Sequence, residues 1–248
     1  MIKNNVVKIL FLFILIIVIN LEVYGYTDSI DKIEMNIYVD ENGTANVEEI
    51  WHTQVASGTE NYKVYGNLGK CEIYDFSVTD ENGRKYQYQN NWNVNLSKEQ
   101  KDYKNGINKT SSGDVELCWG LGEFGDRVYT LNYKISNFVQ QYEDSQAIYF
   151  CLLSEKMDIT PDNVEITISS FKPFTQNDTK IWGYGYEGNV VFENGKIKLQ
   201  NTDDYKNRDY MVLLAQITDN RYNTNVINNK SFKALYKEAE SSKGYKVS

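Results

Sequence analysis

The sequence has few of the side chains that most enzymes and metal sites use. His52 is the only histidine among 248 residues, and neither a Cys-x-x-Cys pair nor a Gly-x-Ser-x-Gly motif occurs. Histidine is the most versatile acid-base group near neutral pH and a frequent zinc ligand. The sequence therefore lacks most of the residues from which nucleophilic triads and zinc centres are formed. We therefore expect no catalytic residues, no metal site and no cofactor, and a protein that is not an enzyme.

Cysteine is also scarce, with Cys71, Cys118 and Cys151 as the three thiols. An odd number leaves at least one thiol unpaired, and one disulfide plus a free thiol is the alternative in an oxidising compartment. Cys118 and Cys151 lie in apolar runs, where cysteine behaves as a small buried hydrophobic residue. We expect no disulfide bond.

Positive charge is in short supply. The 26 Lys and Arg residues stand against 34 Asp and Glu residues, for a formal net charge of -8. Because nucleic-acid binding requires a concentrated positive surface, we expect no nucleic-acid partner. Residues 221–248 form a basic tail that departs from this balance. We interpret its basic residues as the solvated face of a helix, and association with anionic lipid or cell wall is the alternative.

Long apolar runs are absent except at the N-terminus. Two lysines in the first eight residues precede an uninterrupted apolar run over residues 9–19, and small residues end at Gly25. This pattern predicts a secretory signal peptide over residues 1–25, and hence a secreted or cell-surface location. The run is shorter than the roughly 20 residues that span a bilayer. An uncleaved signal anchor, which would associate the protein with the membrane, is the alternative.

The remaining sequence is dominated by alternation of apolar and polar residues. One example runs through Ile33, Met35, Ile37 and Val39. About ten such runs with turn signals between them predict an all-β fold over residues 26–220, a β-sandwich of about ten antiparallel strands. The run 85–91 is one of the predicted strands, whereas the polar stretch 96–113 is predicted to be a surface loop, with a short helical turn as an option.

In the basic tail, apolar residues recur at helical spacing behind Ser231, which predicts one short amphipathic helix with Ser231 as its N-cap. The tripeptide Glu-Asn-Gly occurs three times, ending at Gly43, Gly83 and Gly195. Asn-Gly supplies the positive φ angles that tight hairpins require. We therefore assign these three glycines a structural role in turns.

Two adjacent carboxylates, Glu48 and Glu49, follow the first of these turns. Neighbouring residues of a strand point to opposite faces of the sheet, so the two cannot act as a catalytic pair. The alternation places Glu48 in solvent and Glu49 on the apolar face with Val47 and Trp51. Since a buried charge needs a partner, we interpret Glu49 as a structural anchor that pairs with Arg127 or with backbone amides.

The run from Ile181 to Tyr186 alternates aromatic residues with glycine. On a strand, Trp182, Tyr184 and Tyr186 form one aromatic row. An exposed row stacks on sugar rings, whereas a buried row belongs to the core and covers the glycines. The buried arrangement is favoured. A carbohydrate-binding module that uses this row is the alternative.

Several segments resemble the DUF2207 family of uncharacterised bacterial membrane proteins. The resemblance extends over residues 30–217 and is carried by Val39 to Ala45, Val47-x-Glu49-x-Trp51, Val78 to Tyr86, Glu116 to Gly120, Tyr129 to Val139 and Ile181 to Gly185. It implies an extracytoplasmic β domain that precedes transmembrane helices, with no established activity or catalytic residue. The sequence has no second long apolar run, so we expect a truncated gene product or a free secreted version.

These features together predict an exported, non-enzymatic β domain with a binding or structural role at the bacterial envelope. The expected partner is an envelope protein or a glycan.

Overall fold

The computed structural model describes residues 27–243. The predicted signal peptide and the end of the basic tail lie outside this range. No helix within it combines the length and the apolar character that crossing a membrane requires.

The described residues contain fifteen strands in three sheets. The strands are β1 (Ser29–Val39), β2 (Ala45–Val55), β3 (Glu60–Tyr65), β4 (Ile73–Asp80), β5 (Gln87–Gln89), β6 (Lys104–Lys109), β7 (Val115–Gly120), β8 (Gly125–Ile135), β9 (Gln140–Gln141), β10 (Gln146–Leu153), β11 (Pro161–Ser170), β12 (Thr179–Tyr184), β13 (Gly188–Glu193), β14 (Lys196–Asn201) and β15 (Met211–Ile217). A large sheet has the strand order β13-β14-β11-β1-β2-β8-β4, and two smaller sheets have the orders β12-β15-β10-β9 and β3-β7-β6-β5. The prediction of a mostly β protein is confirmed.

The predicted number of about ten strands and their wholly antiparallel arrangement are wrong. Strand β1 pairs antiparallel with β2 on one side and parallel with β11 on the other, with Ile33 opposite Val164 and Ile37 opposite Ile168. Strands β5 and β6 are also parallel. Alternation of apolar residues reveals which face of a strand is buried, but it carries no information about the strand's neighbours.

The main core lies between the large sheet and the two small ones. Alternate residues of β1 and β2, such as Ile37, Val47 and Trp51, enter a hydrophobic cluster that also contains Trp119 of β7 and Leu213 of β15. Trp51 and Trp119 meet edge to face, with ring centroids 5.2 Å apart. The large sheet therefore has one face in the core and one face turned outward.

The three Glu-Asn-Gly tripeptides all lie in turns. Gly43, Gly83 and Gly195 have φ angles of 78°, 77° and 75°. Asn194 and Gly195 form a two-residue hairpin loop between β13 and β14, in which both residues have positive φ, as a type I′ turn requires. The tripeptide that ends at Gly83 returns the chain to β4 only through an isolated bridge between Thr79 and Lys85, because the next strand, β5, pairs with β6. The predicted strand over 85–91 is reduced to three residues.

The stretch 96–113 is not the surface loop that its composition predicts. It contains the short helix α1 (Lys98–Lys101) and strand β6, which pairs with β7. The side chain of Asn105 is fully buried, and its amide donates a hydrogen bond to the carbonyl oxygen of Phe76 at 3.2 Å. Polar residues form a strand here because pairing with β7 satisfies their backbone N–H and C=O groups.

The predicted C-terminal helix is confirmed as α2 (Phe232–Ser242). Ser231 is its N-cap, and its hydroxyl accepts a hydrogen bond from the backbone N–H of Ala234. Phe232, Leu235 and Ala239 are buried in a second hydrophobic cluster with residues of β10 and β15. The helix therefore covers the outer face of one small sheet, whereas the outer face of the large sheet has no such cover among the described residues.

Candidate functional site

The outer face of the large sheet carries an open groove of about 450 Å³. Its lining comes from strands β1, β2, β4, β8, β11 and β14. The residues are Asn36, Ile37, Tyr38, Asn46, Val47, Glu48, Asp75, Asn132, Tyr133, Lys134, Thr167, Ser169 and Lys196. Neutral polar side chains are the largest class among them.

The centre of the groove is a row of side chains in register across four neighbouring strands. Thr167 lies opposite Asn36, Asn36 opposite Glu48, and Glu48 opposite Asn132. Neighbouring strands are about 4.8 Å apart, so the row spans about 15 Å. Asn36, Glu48 and Asn132 are exposed, and none of the three makes a side-chain hydrogen bond or ion pair within residues 27–243. Their hydrogen-bonding capacity faces outward and is unused by the domain.

A second row runs beside the first, and it contains the exposed aromatic residue Tyr38. Tyr38 lies opposite Asn46 on one side and Ser169 on the other. The tyrosine is 44% exposed, whereas the amide of Asn46 donates to Asp40 Oδ2 at 2.8 Å and is held in place. An exposed tyrosine in a polar groove combines an apolar ring with a hydroxyl that can donate or accept.

Paired charges border the two rows. Lys32 Nζ lies 2.7 Å from Glu34 and 3.5 Å from Glu165, and Lys198 Nζ lies 3.4 Å from the same Glu165. The hydrogen bond from Lys32 lowers the pKa of Glu34, against the opposing effect of burial. At the opposite border Lys134 pairs with Asp75 at 3.1 Å. The groove is thus bordered by ion pairs that contain both signs of charge, rather than by charges of one sign.

Directly beneath the groove, on the inner face, Glu49 lies in a closed network. Its Oε1 accepts from Lys63 Nζ at 2.5 Å and from the hydroxyls of Tyr133 and Tyr65, and its Oε2 accepts from Trp51 Nε1 at 2.9 Å. Glu49 and Lys63 are almost completely buried. Burial lowers the pKa of the Lys63 ammonium, and the neighbouring Glu49 carboxylate opposes that effect.

The partner of Glu49 is therefore Lys63, and the predicted pairing with Arg127 is wrong. Arg127 lies on the same face of the large sheet but four residues along β8 from Leu131, the residue opposite Glu49, and its partners are Glu81 at 3.1 Å and Asp80 at 3.6 Å. Sequence reasoning missed Lys63 because an isolated lysine in a strand is normally exposed. Its position between Tyr62 and Val64 in a short alternating run was the one available signal.

The aromatic row of β12 is largely covered by helix α2. The ring of Trp182 lies 5.1 Å from that of Tyr236 and 5.7 Å from that of Phe232, and the Tyr184 hydroxyl donates to Glu240 Oε1 at 2.7 Å. Tyr186 packs instead against the main core, and its hydroxyl donates to the carbonyl oxygen of Asn189. The three residues are half-buried and do not form one open row.

The three thiols are separate from one another and unpaired. Burial raises the pKa of Cys71 to about 11 and that of Cys151 to about 12. Such thiols stay protonated near neutral pH and are poor nucleophiles. His52 lies on the outer face of the large sheet, with Nε2 3.3 Å from Glu34. Within residues 27–243, no group of three or more His, Cys, Asp or Glu side chains is arranged to hold a metal ion.

By its fold and its groove, the protein is a β-rich domain of three sheets that presents a polar surface on the open face of its largest sheet. Residues 29–217 match the family model described as "Predicted membrane protein (DUF2207) N-terminal domain". The chain belongs to the DUF2207 family, as the resemblance in its hairpin and strand motifs predicts. A search of curated protein sequences found no match.

Several solved structures share part of the architecture. A candidate nutrient binding protein from Legionella pneumophila has a TM-score of 0.48 and 10% identity, over 77% of this chain and 67% of that one. Native leukotriene A4 hydrolase from Saccharomyces cerevisiae has a TM-score of 0.46 and 10% identity, over 79% of this chain and 30% of that one. This chain thus spans less than a third of the yeast enzyme's length. With such TM-scores, no property of either protein is transferred to this chain.

Proposed function

We propose that this domain is a non-enzymatic binding module that acts on the outer side of the bacterial membrane and uses the groove of the large sheet as its contact surface. The observation that carries the proposal is the central row of Asn36, Glu48 and Asn132, whose polar groups are exposed and unpartnered within the described residues. The family description as a membrane protein's N-terminal domain supports the location.

The absence of enzymatic activity is part of this proposal. His52 is paired with Glu34, the thiols have raised pKa values, and Glu49 has its oxygen atoms engaged by Lys63, Trp51 and two tyrosines. His52, the thiols and Glu49 are thus each either hydrogen-bonded within the domain or protonated. Release of soluble fragments from envelope material by the purified protein, if it persisted in a His52→Ala variant, would replace this view with an enzyme built on carboxylates.

The test of binding is co-sedimentation of the purified protein with envelope fragments of the cells that produce it. The groove variant carries Asn36→Arg and Asn132→Arg, which place bulk and charge in the central row. The control carries Gln87→Arg and Asn91→Arg, which add the same charge at exposed positions outside the groove. We expect the groove variant to remain in the supernatant and the control to sediment like the parent protein. Equal sedimentation of both variants would place the contact surface elsewhere.

The carbohydrate-binding site on Trp182, Tyr184 and Tyr186 remains the alternative, and it has less support. A sugar ring that stacks on Trp182 must displace Phe232 and Tyr236 of helix α2. Retention on a polysaccharide column that is lost in a Trp182→Ala variant, while the variant keeps its folded spectrum, would favour this site over the groove.

A further inference from the structure

We infer that the occupant of the groove is an uncharged oligosaccharide chain, which hydrogen-bonds to the row of Asn36 and Asn132 and packs against Tyr38. This inference rests on the proposed function, since it names the ligand class of the same surface. The carbohydrate site is then on the open face of the large sheet rather than on the covered strand β12.

The free side chains of the central row match the hydrogen-bonding chemistry of a sugar. Each asparagine amide offers two donor hydrogens and a carbonyl acceptor, and Glu48 offers acceptors only. Sugar hydroxyls donate and accept at the same oxygen, so they match a row that alternates amide and carboxylate. Because Asn36 and Asn132 make no side-chain hydrogen bonds within the described residues, a ligand replaces only water there and breaks no hydrogen bond of the protein.

The charges in and around the groove favour an uncharged ligand. The ion pairs of Lys32 with Glu34 and of Lys134 with Asp75 neutralise the borders of the groove. Among the groove residues, Glu48 and Lys196 carry opposite charges and have no ion-pair partner in the part of the chain that the structure describes. A polyanion would meet no net positive surface, and a polycation would meet only one free carboxylate. An uncharged ligand fits this balance.

The position and composition of the groove favour a sugar chain over a polypeptide. A peptide that adds to a sheet pairs with the free edge of a strand, whereas the groove lies on the face of the sheet, where the backbone groups are already paired. A folded protein partner is expected to bury an apolar centre in its interface. Here the centre is made of amides and a carboxylate, and one exposed ring, Tyr38, adjoins it. A hydroxyl-rich chain with apolar ring faces uses both features.

The test is affinity measurement by titration calorimetry and affinity gel electrophoresis with three probes. Two are uncharged, a soluble β-glucan and oligosaccharides of N-acetylglucosamine, and one is anionic, polygalacturonate. The variants are Tyr38→Ala and the double change Asn36→Ala with Asn132→Ala. The control is Tyr88→Ala, because Tyr88 is 45% exposed, like Tyr38, but lies on strand β5 of a small sheet.

We expect at least one uncharged probe to bind, both groove variants to weaken its Kd by about tenfold, which corresponds to about 1.4 kcal/mol, and the control to leave it unchanged. Binding of polygalacturonate alone, or uncharged-probe binding that the groove variants leave intact, overturns the inference. If envelope fragments sediment with the protein through the groove but neither uncharged probe competes, the ligand class is wrong and the proposed function stands. If envelope fragments do not bind at all, both are wrong.

Discussion

Two adjacent carboxylates on opposite faces of the large sheet differ in their hydrogen-bond partners. Glu49, on the inner face, has both oxygens engaged by Lys63, Trp51 and two tyrosine hydroxyls, whereas Glu48, on the outer face, has no side-chain partner within residues 27–243. These two residues are neighbours on one strand, yet one has its hydrogen-bonding groups occupied within the domain and the other does not. The inner network is closed to ligands because it is complete, and the outer row is open to them because it is not.

The largest expected effect comes from breaking the inner network. Glu49→Gln leaves the Lys63 ammonium buried without a counter-charge, and we expect the free energy of unfolding to fall by about 3 to 5 kcal/mol. The matched control is Glu48→Gln, which should change stability by no more than about 0.5 kcal/mol because its side chain is exposed. Denaturant unfolding followed by tryptophan fluorescence measures both. Unchanged stability in Glu49→Gln would show that Glu49 is not a structural anchor.

The same comparison predicts that the double variant Glu49→Gln with Lys63→Met is less damaging than the sum of the two single changes. Removing both charges removes the desolvation cost that either charge alone would leave behind. A double-mutant cycle in the same unfolding assay measures this coupling. Additive effects would mean that the two charges stabilise the fold independently, which contradicts the 2.5 Å contact between them.

A smaller effect is expected where an outer face is covered rather than open. Trp182→Ala removes the ring that packs between Phe232 and Tyr236, and we expect a loss of about 2 kcal/mol, below the range for fully buried tryptophans. Proteolysis in the segment before helix α2 should accelerate as the helix loses its anchor. Tyr88→Ala is the control with an uncovered ring. A stable, protease-resistant Trp182→Ala variant would indicate that the helix does not depend on this contact.

The smallest expected effect concerns the ion pairs that border the groove. The folded-state pKa of Glu34 lies below its ordinary value of 4.5, chiefly through the hydrogen bond from Lys32. A lowered folded-state pKa contributes stability that is present above the unfolded pKa and lost as the pH falls through the folded pKa. The side chain is 35% exposed, so the contribution is below about 1 kcal/mol. Stability curves of the parent and Glu34→Gln should converge below pH 4.5; curves that stay parallel would assign the acid sensitivity to other carboxylates.

The separation of Glu48 from Glu49 and the turns at the Glu-Asn-Gly tripeptides could be predicted from the sequence, because both depend on local backbone geometry. The partner of Glu49 could not, because Lys63 reaches it from a different sheet and nothing local distinguishes a buried lysine from an exposed one. The groove was missed for a related reason. Its row joins Thr167 to Asn36 through a parallel pairing that alternation along a single strand cannot reveal.

That parallel pairing also sets the order in which the protein can fold. Strand β1 is central in the large sheet, yet its second neighbour, β11, begins only at Pro161, after more than half of the described chain has been synthesised. Until then β1 presents an unpaired apolar edge, of the kind that invites association between chains. Long-range strand pairing of this type is slow. The large sheet is therefore completed only after most of the polypeptide has been synthesised. The yield of folded protein depends on preventing the unpaired edge of β1 from pairing with other copies of the chain.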